Sequence, residues 1–573
     1  MEKRWVEKAI DSQTRVQNLA QDLGVSERLS TLLIGRGIST FDQAKEFFRP
    51  QLSMLHDPFL MADMDIAVER IEKALKGDEK IMVYGDYDVD GTTAVSLVYS
   101  FFSKLTDKID YYIPDRYAEG YGVSRLGMDY AIDNGFNLII CLDCGIKANE
   151  QIGYAKENGV DFIVCDHHLP GKELPLAFAI LDPKRAECSY PYDELCGCGI
   201  GFKLVQAYSQ KNKIDFKELH QYLDLTAISI AADIVPLNGE NRVLAYYGLE
   251  EINARPRLGI KALLELAKAK NKLTLENLVF LIGPRINAAG RIKTGKNAVS
   301  LLISDDESKA KETSALIDQH NLERRVLDKT ITAEALNMIA DNKALQNQKS
   351  TVLFDPNWHK GVIGIVASRL IDNYYRPTIV LTSSNGKAAG SARSVLGYSV
   401  YDAIEECSDL LEQFGGHKYA AGLTMLTENI EAFQKKFEEV VSRTIDEDLL
   451  IPTVELDGEL HFSDITDKFF RVLKQFAPFG PLNMMPIFAT TGVLDTGYAK
   501  TVGADNTHLK LNVFEPEDME RSFSAIGFGL GDKIDLVTSG EPFDICYTIE
   551  ENIWNDRVTL QLVIKDIKAA EQI

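Results

Sequence analysis

Lys80-Ile-Met-Val-Tyr-Gly-Asp-Tyr-Asp-Val-Asp-Gly-Thr-Thr-Ala94 decides the reading of this chain. The apolar run Ile81 to Tyr84 ends in Gly85, aspartates follow at 86, 88 and 90, and small residues lead into an apolar, helix-like segment, Ala94 to Phe102. That pattern predicts strand, loop, helix. Asp86, Asp88 and Asp90 then lie beyond the carboxyl end of a strand, where open α/β sheets place their ligands. Carboxylates this close repel one another unless protons or cations intervene, and a divalent metal is the economical answer. An EF-hand calcium loop opens the same way but needs a bidentate Glu at its twelfth position, which here is Leu97. A solvated acidic turn is the plain alternative.

Outward from this stretch, short apolar runs alternate with amphipathic segments. A helix to about Lys76 and the strand at 80 to 85 are followed by a helix to about 104, a strand at 109 to 113 and a helix at 124 to 134. A strand at 137 to 143, a helix at 147 to 158 and a strand at 161 to 165 complete the series. The alternation predicts an α/β fold with a mostly parallel sheet and helices on both faces. Asn137-Leu-Ile-Ile-Cys-Leu runs into Asp143, and Asp161-Phe-Ile-Val-Cys runs into Asp166-His167-His168. Three successive strands therefore end in Asp or His at one edge. Asp233 sits inside the apolar stretch Leu225 to Leu237, where a buried carboxylate needs a cation or donors; capping nearby backbone amides is the other reading.

At 573 residues the chain is too long for one ordinary core. Its 45% hydrophobic and 26% charged residues are those of a soluble globular protein, no apolar run is long enough to span a bilayer, and the start lacks an apolar signal core. No membrane association and a cytoplasmic location are expected. Eight cysteines are too few for a disulfide framework, and Cys141-Leu-Asp-Cys144 and the trio Cys188, Cys196 and Cys198 read as reduced structural residues. A net charge of −23 argues at first sight against nucleic acid. Its distribution argues otherwise. Residues 277 to 304 hold no acid but carry Arg285, Arg291, Lys293 and Lys296, and residues 373 to 401 hold none but carry Arg376, Lys387 and Arg393. Such windows predict local phosphate-contacting surfaces inside a repulsive shell.

Gly290-x4-Gly295-Lys296-Asn297 imitates a P-loop, but Asn297 replaces the Ser or Thr that holds magnesium and no buried strand precedes it. Residues 306 to 346 read as a long connecting helix. A fresh α/β pattern begins near 350, with Gly-rich turns at Gly361-Val-Ile-Gly364 and Phe414-Gly-Gly-His417 and with Ser391 and Arg393 in one short segment; such turns let backbone amides approach phosphate. After Pro452 short strands with Gly turns predict a small β-barrel.

Gly-Asp-Tyr-Asp-Val-Asp-Gly, Leu-Asp-Cys-Gly, Asp-His-His and Ala-Asp-Ile-Val-Pro resemble the successive motifs of the DHH phosphoesterase superfamily, and their full order resembles the RecJ single-stranded-DNA exonucleases. Gly283-Pro-Arg-Ile-Asn-Ala-Ala-Gly-Arg291 resembles that family's Arg/Asn segment, and the Gly-rich turns after 350 resemble the DHH-associated domain. The resemblance implies an N-terminal helical segment (1–50), a DHH lobe (51–300), a connecting helix (301–347), a DHH-associated lobe (348–447) and an oligonucleotide-binding barrel (452–573). In the segment Ala477 to Pro486, Leu482 stands where the resemblance leads one to expect Gly.

Two-metal phosphodiester hydrolysis is then the implied chemistry, with manganese or magnesium as cofactor. Asp143 is expected to bridge the metals, Asp86 and Asp88 to complete one site, and Asp90, His167 and Asp233 the other. His168 is expected to face the scissile phosphate. Arg285 and Asn287 are the candidates for stabilising its charge. Arg116, Arg291, Ser391, Arg393 and His417 are expected to bind substrate, with Arg116, Ser391 and Arg393 on the terminal 5′-phosphate. The implied activity is 5′-to-3′ exonucleolysis of single-stranded DNA to 5′-mononucleotides in repair and recombination, by a monomer working beside a helicase and a single-strand-binding protein. Two alternatives are a DHH phosphodiesterase for short oligonucleotides or cyclic dinucleotides, and a non-catalytic scaffold. The residues after Pro452 and the long helix disfavour the first, and the intact acidic motifs disfavour the second.

Overall fold

A computed structural model of the chain describes residues 2–10, 12–269, 271–292, 294–554 and 557–570. Lys293 of the first basic window lies outside the described residues. The chain forms two compact units: Gln51–Leu450, and Met1–Pro50 together with Ile451–Ile573.

The larger unit is built on a five-stranded parallel sheet in the order Ile109–Tyr112, Ile81–Gly85, Leu138–Leu142, Asp161–Cys165, Ala179–Leu181. The strands Ile81–Gly85 and Leu138–Leu142 are buried throughout, as a sheet covered on both faces requires. Register explains the edge. Gly85 pairs with Leu142, Leu142 with Cys165 and Cys165 with Leu181, so the next residues in the chain, Asp86, Asp143, Asp166 and Asp182, all emerge at one end of the sheet. The helix Val89–Phe102 starts there, capped by Asp88, whose carboxylate accepts the Gly91 N–H at 3.0 Å. Helices Gly197–Lys211 and Leu223–Asp233 pack beside it.

A π-helical turn, Leu278–Ile282, leads into helix Gly283–Ile292, and the 34-residue helix Glu307–Ala340 then reaches a second sheet. That sheet runs Gln413–His417, Ala420–Met425, Lys387–Arg393, Thr378–Ser384, Thr351–Phe354, with only the last pair parallel. Helix Ile363–Asn373 packs on it.

In the smaller unit, five strands close on themselves in the order Phe488–Asp495, Phe543–Trp554, Arg557–Ala569, Asp518–Gly527, His508–Glu515, the last pairing back to the first; Lys500–Val502 adds to His508–Glu515. The barrel is the expected one, but two of its strands are long, at 12 and 13 residues, and pair antiparallel with a register shift between Cys546 and Tyr547. Nor are residues 1 to 50 helical throughout, since Arg4–Glu7 forms a strand parallel to Thr453–Leu456. Leu19, Leu29, Leu32 and Leu33 find their apolar partners in the core of Phe462, Phe476, Phe488 and Tyr547. Leu482 takes φ 59°, a left-handed conformation that glycine adopts without strain, and leaves its side chain exposed. Buried Asn483 secures that loop, donating to the carbonyls of Phe476 and Pro478 and accepting from Arg36.

Candidate metal centre and phosphate pocket

At the sheet edge the acidic side chains converge on His167. Its Nε2 lies 3.2 Å from Asp143 Oδ1 and 3.7 Å from both Asp90 and Asp233. Two ligand groups result, Asp143 with His167 and His168, and Asp90 with His167 and Asp233. Asp143 adopts φ 58°, a strain of about 1–2 kcal/mol for a non-glycine residue, which turns its carboxylate into the cluster. It has no room to retreat: a Cβ at Gly197 would lie 2.6 Å from Asp143 Cβ and 2.9 Å from its Oδ1.

The electrostatics are those of a site awaiting cations. Burial, and then the charges of Asp90, Asp88 and Asp233, push the Asp143 carboxyl well above the usual carboxylate range. Burial and Asp88 raise Asp86, while burial and Asp90 raise Asp88. Burial followed by Asp90 and Asp88 carries Asp233 up to about 8. Burial lowers His167 against the pull of Asp90, which favours the neutral imidazole that ligates metal. Asp86 Oδ2 and His167 Nδ1 are buried with no hydrogen-bond partner. The carboxylate and imidazole donors therefore fit manganese or magnesium, whose charge would relieve the repulsion.

Asp90 is held most firmly, accepting the Gly197 and Cys198 N–H groups at 2.7 Å and the Ser229 hydroxyl at 2.5 Å. Asp233 corrects the expectation of a fully buried carboxylate. It ends helix Leu223–Asp233, Ile234 turns into the left-handed conformation, and the Asp233 side chain stays 30% exposed on the cleft side of an otherwise buried helix.

Asp166 does not point into the cluster. It accepts from the backbone N–H groups of Ile146, His167 and His168 and from His168 Nδ1 at 2.7 Å. Burial opposes its charge, but His168 and the Ile146 amide hold it down at about 2. In return, despite burial, Asp166, Asp233 and Asp90 lift His168 to about 9, and His168 Nε2 meets the Tyr121 hydroxyl at 3.3 Å.

Beside the acids stands a group of opposite sign. Arg116 lies over the ring of Tyr87, 5.1 Å from its centroid. Burial and then Arg116, Arg324 and Arg393 depress Arg291 to about 10, while burial and Arg116 lower Arg393. None of Arg116, Arg291 and Arg393 forms an ion pair with a carboxylate among the described residues. Arg393 donates to Ser391 Oγ at 3.2 Å, and Gly364 in the first turn of helix Ile363–Asn373 packs on this pair, where an added Cβ would come within 2.8 Å of Ser391 Oγ. Guanidiniums, a hydroxyl and a helix N-terminus are the groups from which anion pockets are built. His417 is exposed, and burial with Arg393 lowers its pKa.

Arg285 is placed elsewhere. Its guanidinium donates to Asp318 at 2.8 Å and to the Leu281 carbonyl at 2.7 Å, and it lines a cavity none of whose lining residues belongs to either cluster. Asn287 is half-buried on the same helix.

Residues 80–230 match the DHH family, N-terminal domain, residues 347–443 the DHHA1 domain, and residues 456–566 the RecJ OB domain. A single-stranded-DNA-specific exonuclease RecJ of Bacillus subtilis (strain 168) is 38% identical over 573 residues, covering 99% of this chain and 71% of that one. The chain belongs to the RecJ family. The RecJ of Haemophilus influenzae is 34% identical, over 92% of this chain and 94% of its own. The crystal structure of RecJ in complex with Mn2+ from Thermus thermophilus superposes with a TM-score of 0.85 at 27% identity, covering 100% of this chain and 80% of that one. A structure of the same protein in complex with Mg2+ gives 0.79 at 26%, over 99% of this chain and 79% of that one. The chain is thus a metal-dependent hydrolase of the DHH phosphoesterase type.

Sequence reasoning passed over Asp166 as a working residue and missed Tyr121 and Asp182 altogether. Asp182 follows the last strand as Asp86 follows its own, a signal that was available. It is buried, accepts the Lys184 N–H at 2.8 Å and is pushed by burial up to about 7. Tyr121 carries no local signal. Cys141 and Cys144 are free thiols with sulfurs 3.4 Å apart, and no described helix is long and apolar enough to cross a membrane.

Proposed function

We propose that this chain is a single-stranded-DNA-specific exonuclease that removes 5′-mononucleotides from the 5′ end by two-metal hydrolysis. One observation supports the reading: a cluster of mutually repelling carboxylates and a cluster of arginines without carboxylate partners among the described residues both adjoin Tyr87, which would set a cation site next to a terminal-phosphate site. A terminal monophosphate offers more charge and more acceptors than an internal phosphodiester, which favours the end of a strand over its middle.

Asp86, Asp88, Asp90, Asp143, His167 and Asp233 would hold the cations. When bound, these supply an ionised water and neutralise charge on the phosphoryl and leaving oxygens. Asp143, turned inward and pressed by Gly197, is the group best placed to be shared. Asp166 holds His168 protonated at Nδ1 and presents Nε2 to the cleft, where a charged imidazole can donate to a phosphate oxygen. Arg116, Arg291, Ser391 and Arg393 would hold the 5′-phosphate, and His417 would border them. Arg285, committed to Asp318 and Leu281, is assigned no part in the chemistry, and Asn287 is left as a candidate contact to the scissile phosphate. The barrel would bind single-stranded DNA by stacking and charge. A helicase that supplies single strands, a single-strand-binding protein, a monomeric state and a cytoplasmic setting in DNA repair and recombination belong to the same reading.

The test is a long, internally labelled single strand blocked at either the 5′ or the 3′ end, incubated with manganese, magnesium or chelator. Arrest by the 5′ block and by chelator is expected. Survival of the long strand while di- to pentanucleotides are hydrolysed would replace this reading with a phosphodiesterase for short substrates.

A further inference from the structure

A second concentration of positive charge lies outside both clusters. Arg285, Arg324, Arg325 and Arg369 line a cavity of about 610 Å³ together with Asn321 and Phe280, in a chain whose net charge is −23. Two of the four arginines are neutralised, Arg285 by Asp318 and Arg369 by two hydrogen bonds of 2.8 Å to Asp328. Arg324 and Arg325 have no carboxylate within ion-pair distance among the described residues.

The polar atoms of this cavity are not satisfied from within. Arg324 Nε is buried without a hydrogen-bond partner, and so is Oδ1 of Asn321, a residue only 3% exposed. A buried polar atom left unpaired is costly, so these two atoms call for a partner that the chain does not supply. Part of the lining comes from the π-helical turn Leu278–Ile282, a rare local geometry found frequently at functional sites. It anchors Arg285 through the Leu281 carbonyl and turns Phe280 outward, 66% exposed. An exposed aromatic ring beside unpaired guanidiniums is the pairing that holds a nucleotide, ring against base and guanidinium against phosphate. Arg324 also adjoins the terminal-phosphate pocket, since its charge reaches Arg291.

We propose that this cavity is a second nucleotide site, in which Arg324 and Arg325 hold a phosphate and Phe280 stacks a base, with Arg285 and Arg369 as neutralised walls. The choice of a nucleotide over other organic phosphates rests on the nuclease reading. The bound group has two possible sources of the same chemistry, a released 5′-mononucleotide or a nucleotide of the engaged strand.

The full chain in chelator, which prevents hydrolysis, is titrated with a fluorescent 5′-mononucleotide and separately with a labelled single strand, read by anisotropy. Arg324→Ala, Arg325→Ala and Phe280→Ala are compared with wild type, with melting temperatures confirming that each variant folds. Each substitution is expected to weaken binding about tenfold, the loss of one charge-assisted hydrogen bond or one stacked base. A loss confined to the mononucleotide assigns the site to product, and a loss confined to the strand assigns it to substrate; either upholds the site. Unchanged affinity for both ligands in all three variants overturns it. Failure of the nuclease reading shows separately, as wild type that binds nucleotide here yet cleaves no strand with manganese.

Discussion

The acidic and basic clusters are both gatherings of like charge under partial burial, meeting at Tyr87, and they are built in opposite ways. The acidic one grows from a single sheet edge: register alone brings Asp86 and Asp143 out together, and helix Leu223–Asp233 adds one carboxylate to them. The basic one is assembled from a loop at Arg116, a helix end at Arg291 and a strand at Ser391 and Arg393. Parallel strands fix the acids rigidly, as simultaneous ligation of an ion demands. The arginines are joined only by tertiary contacts, which would suit the proposed pocket for a strand's end, filled and emptied at each turnover.

Substitution at the centre of each cluster should separate the two roles. Asp143→Asn should lower manganese-dependent hydrolysis of every strand by at least about 10³-fold, the scale of losing a group that stabilises transition-state charge. Arg393→Ala should instead lower the rate about tenfold for 5′-phosphorylated strands alone, the loss of one charge-assisted bond. Gel assays on 5′-phosphate and 5′-hydroxyl strands measure both. Equal losses on the two ends in Arg393→Ala would break the distinction.

Methyl groups give a finer comparison. Gly197→Ala drives a Cβ into Asp143, and Gly364→Ala drives one into Ser391 Oγ at 2.8 Å and an Arg393 guanidinium nitrogen at 3.0 Å. The first should cost about 10²-fold in kcat, the usual effect of a displacement near 1 Å at the reacting centre. The second should raise KM for phosphorylated ends with kcat nearly kept, because Arg393 is a side chain that can yield. Steady-state kinetics on one substrate resolve the two patterns.

The smallest expected effect is thermodynamic. Asp86, Asp88, Asp143 and Asp233 hold protons more tightly folded than unfolded, so the metal-free chain loses stability as pH rises from the ordinary carboxylate range through about 8 for Asp233. His168, raised from 6.5 to about 9, adds stability that is fully present below 6.5 and lost as pH rises through about 9. Melting curves in chelator should therefore fall across this window, and the rise in Tm on adding manganese should grow with pH. Asp166→Asn should remove the His168 part, so that its destabilisation relative to wild type is larger below 6.5 than above 9. A difference independent of pH would mean that Asp166 does not set the charge of His168.

This contrast also explains what could be read in advance. Acids that follow apolar strands sit next to their signal in the chain, so the three strand ends at Asp86, Asp143 and Asp166 were legible, and Asp182 should have been. Asp233 was legible as a candidate but not as a helix end, because its helix is buried nearly all round and shows no strand-like or amphipathic period. The arginine pocket was legible in part: the acid-free windows marked Arg291 and Arg393 as phosphate-contacting, and family resemblance alone brought in Arg116. Arg285 was assigned to the phosphate by its motif, and nothing near it in sequence announces Asp318, which lies on another helix and holds its guanidinium. Tyr121 and Arg324 likewise owe their positions to contacts that local sequence does not encode. The N-terminal leucines were spaced for packing, but their partners come from the far end of the chain.

The most direct test is calorimetric titration of manganese into the metal-free chain above pH 8, where Asp233 is ionised. Wild type and Arg393→Ala are predicted to take up two ions per chain, and Asp143→Asn is predicted to lose both, or to bind them at least about 10²-fold more weakly. Uptake unaffected by Asp143→Asn, or abolished by Arg393→Ala, would contradict a division of labour between an acidic cluster that holds metal and a basic one that holds the strand's end.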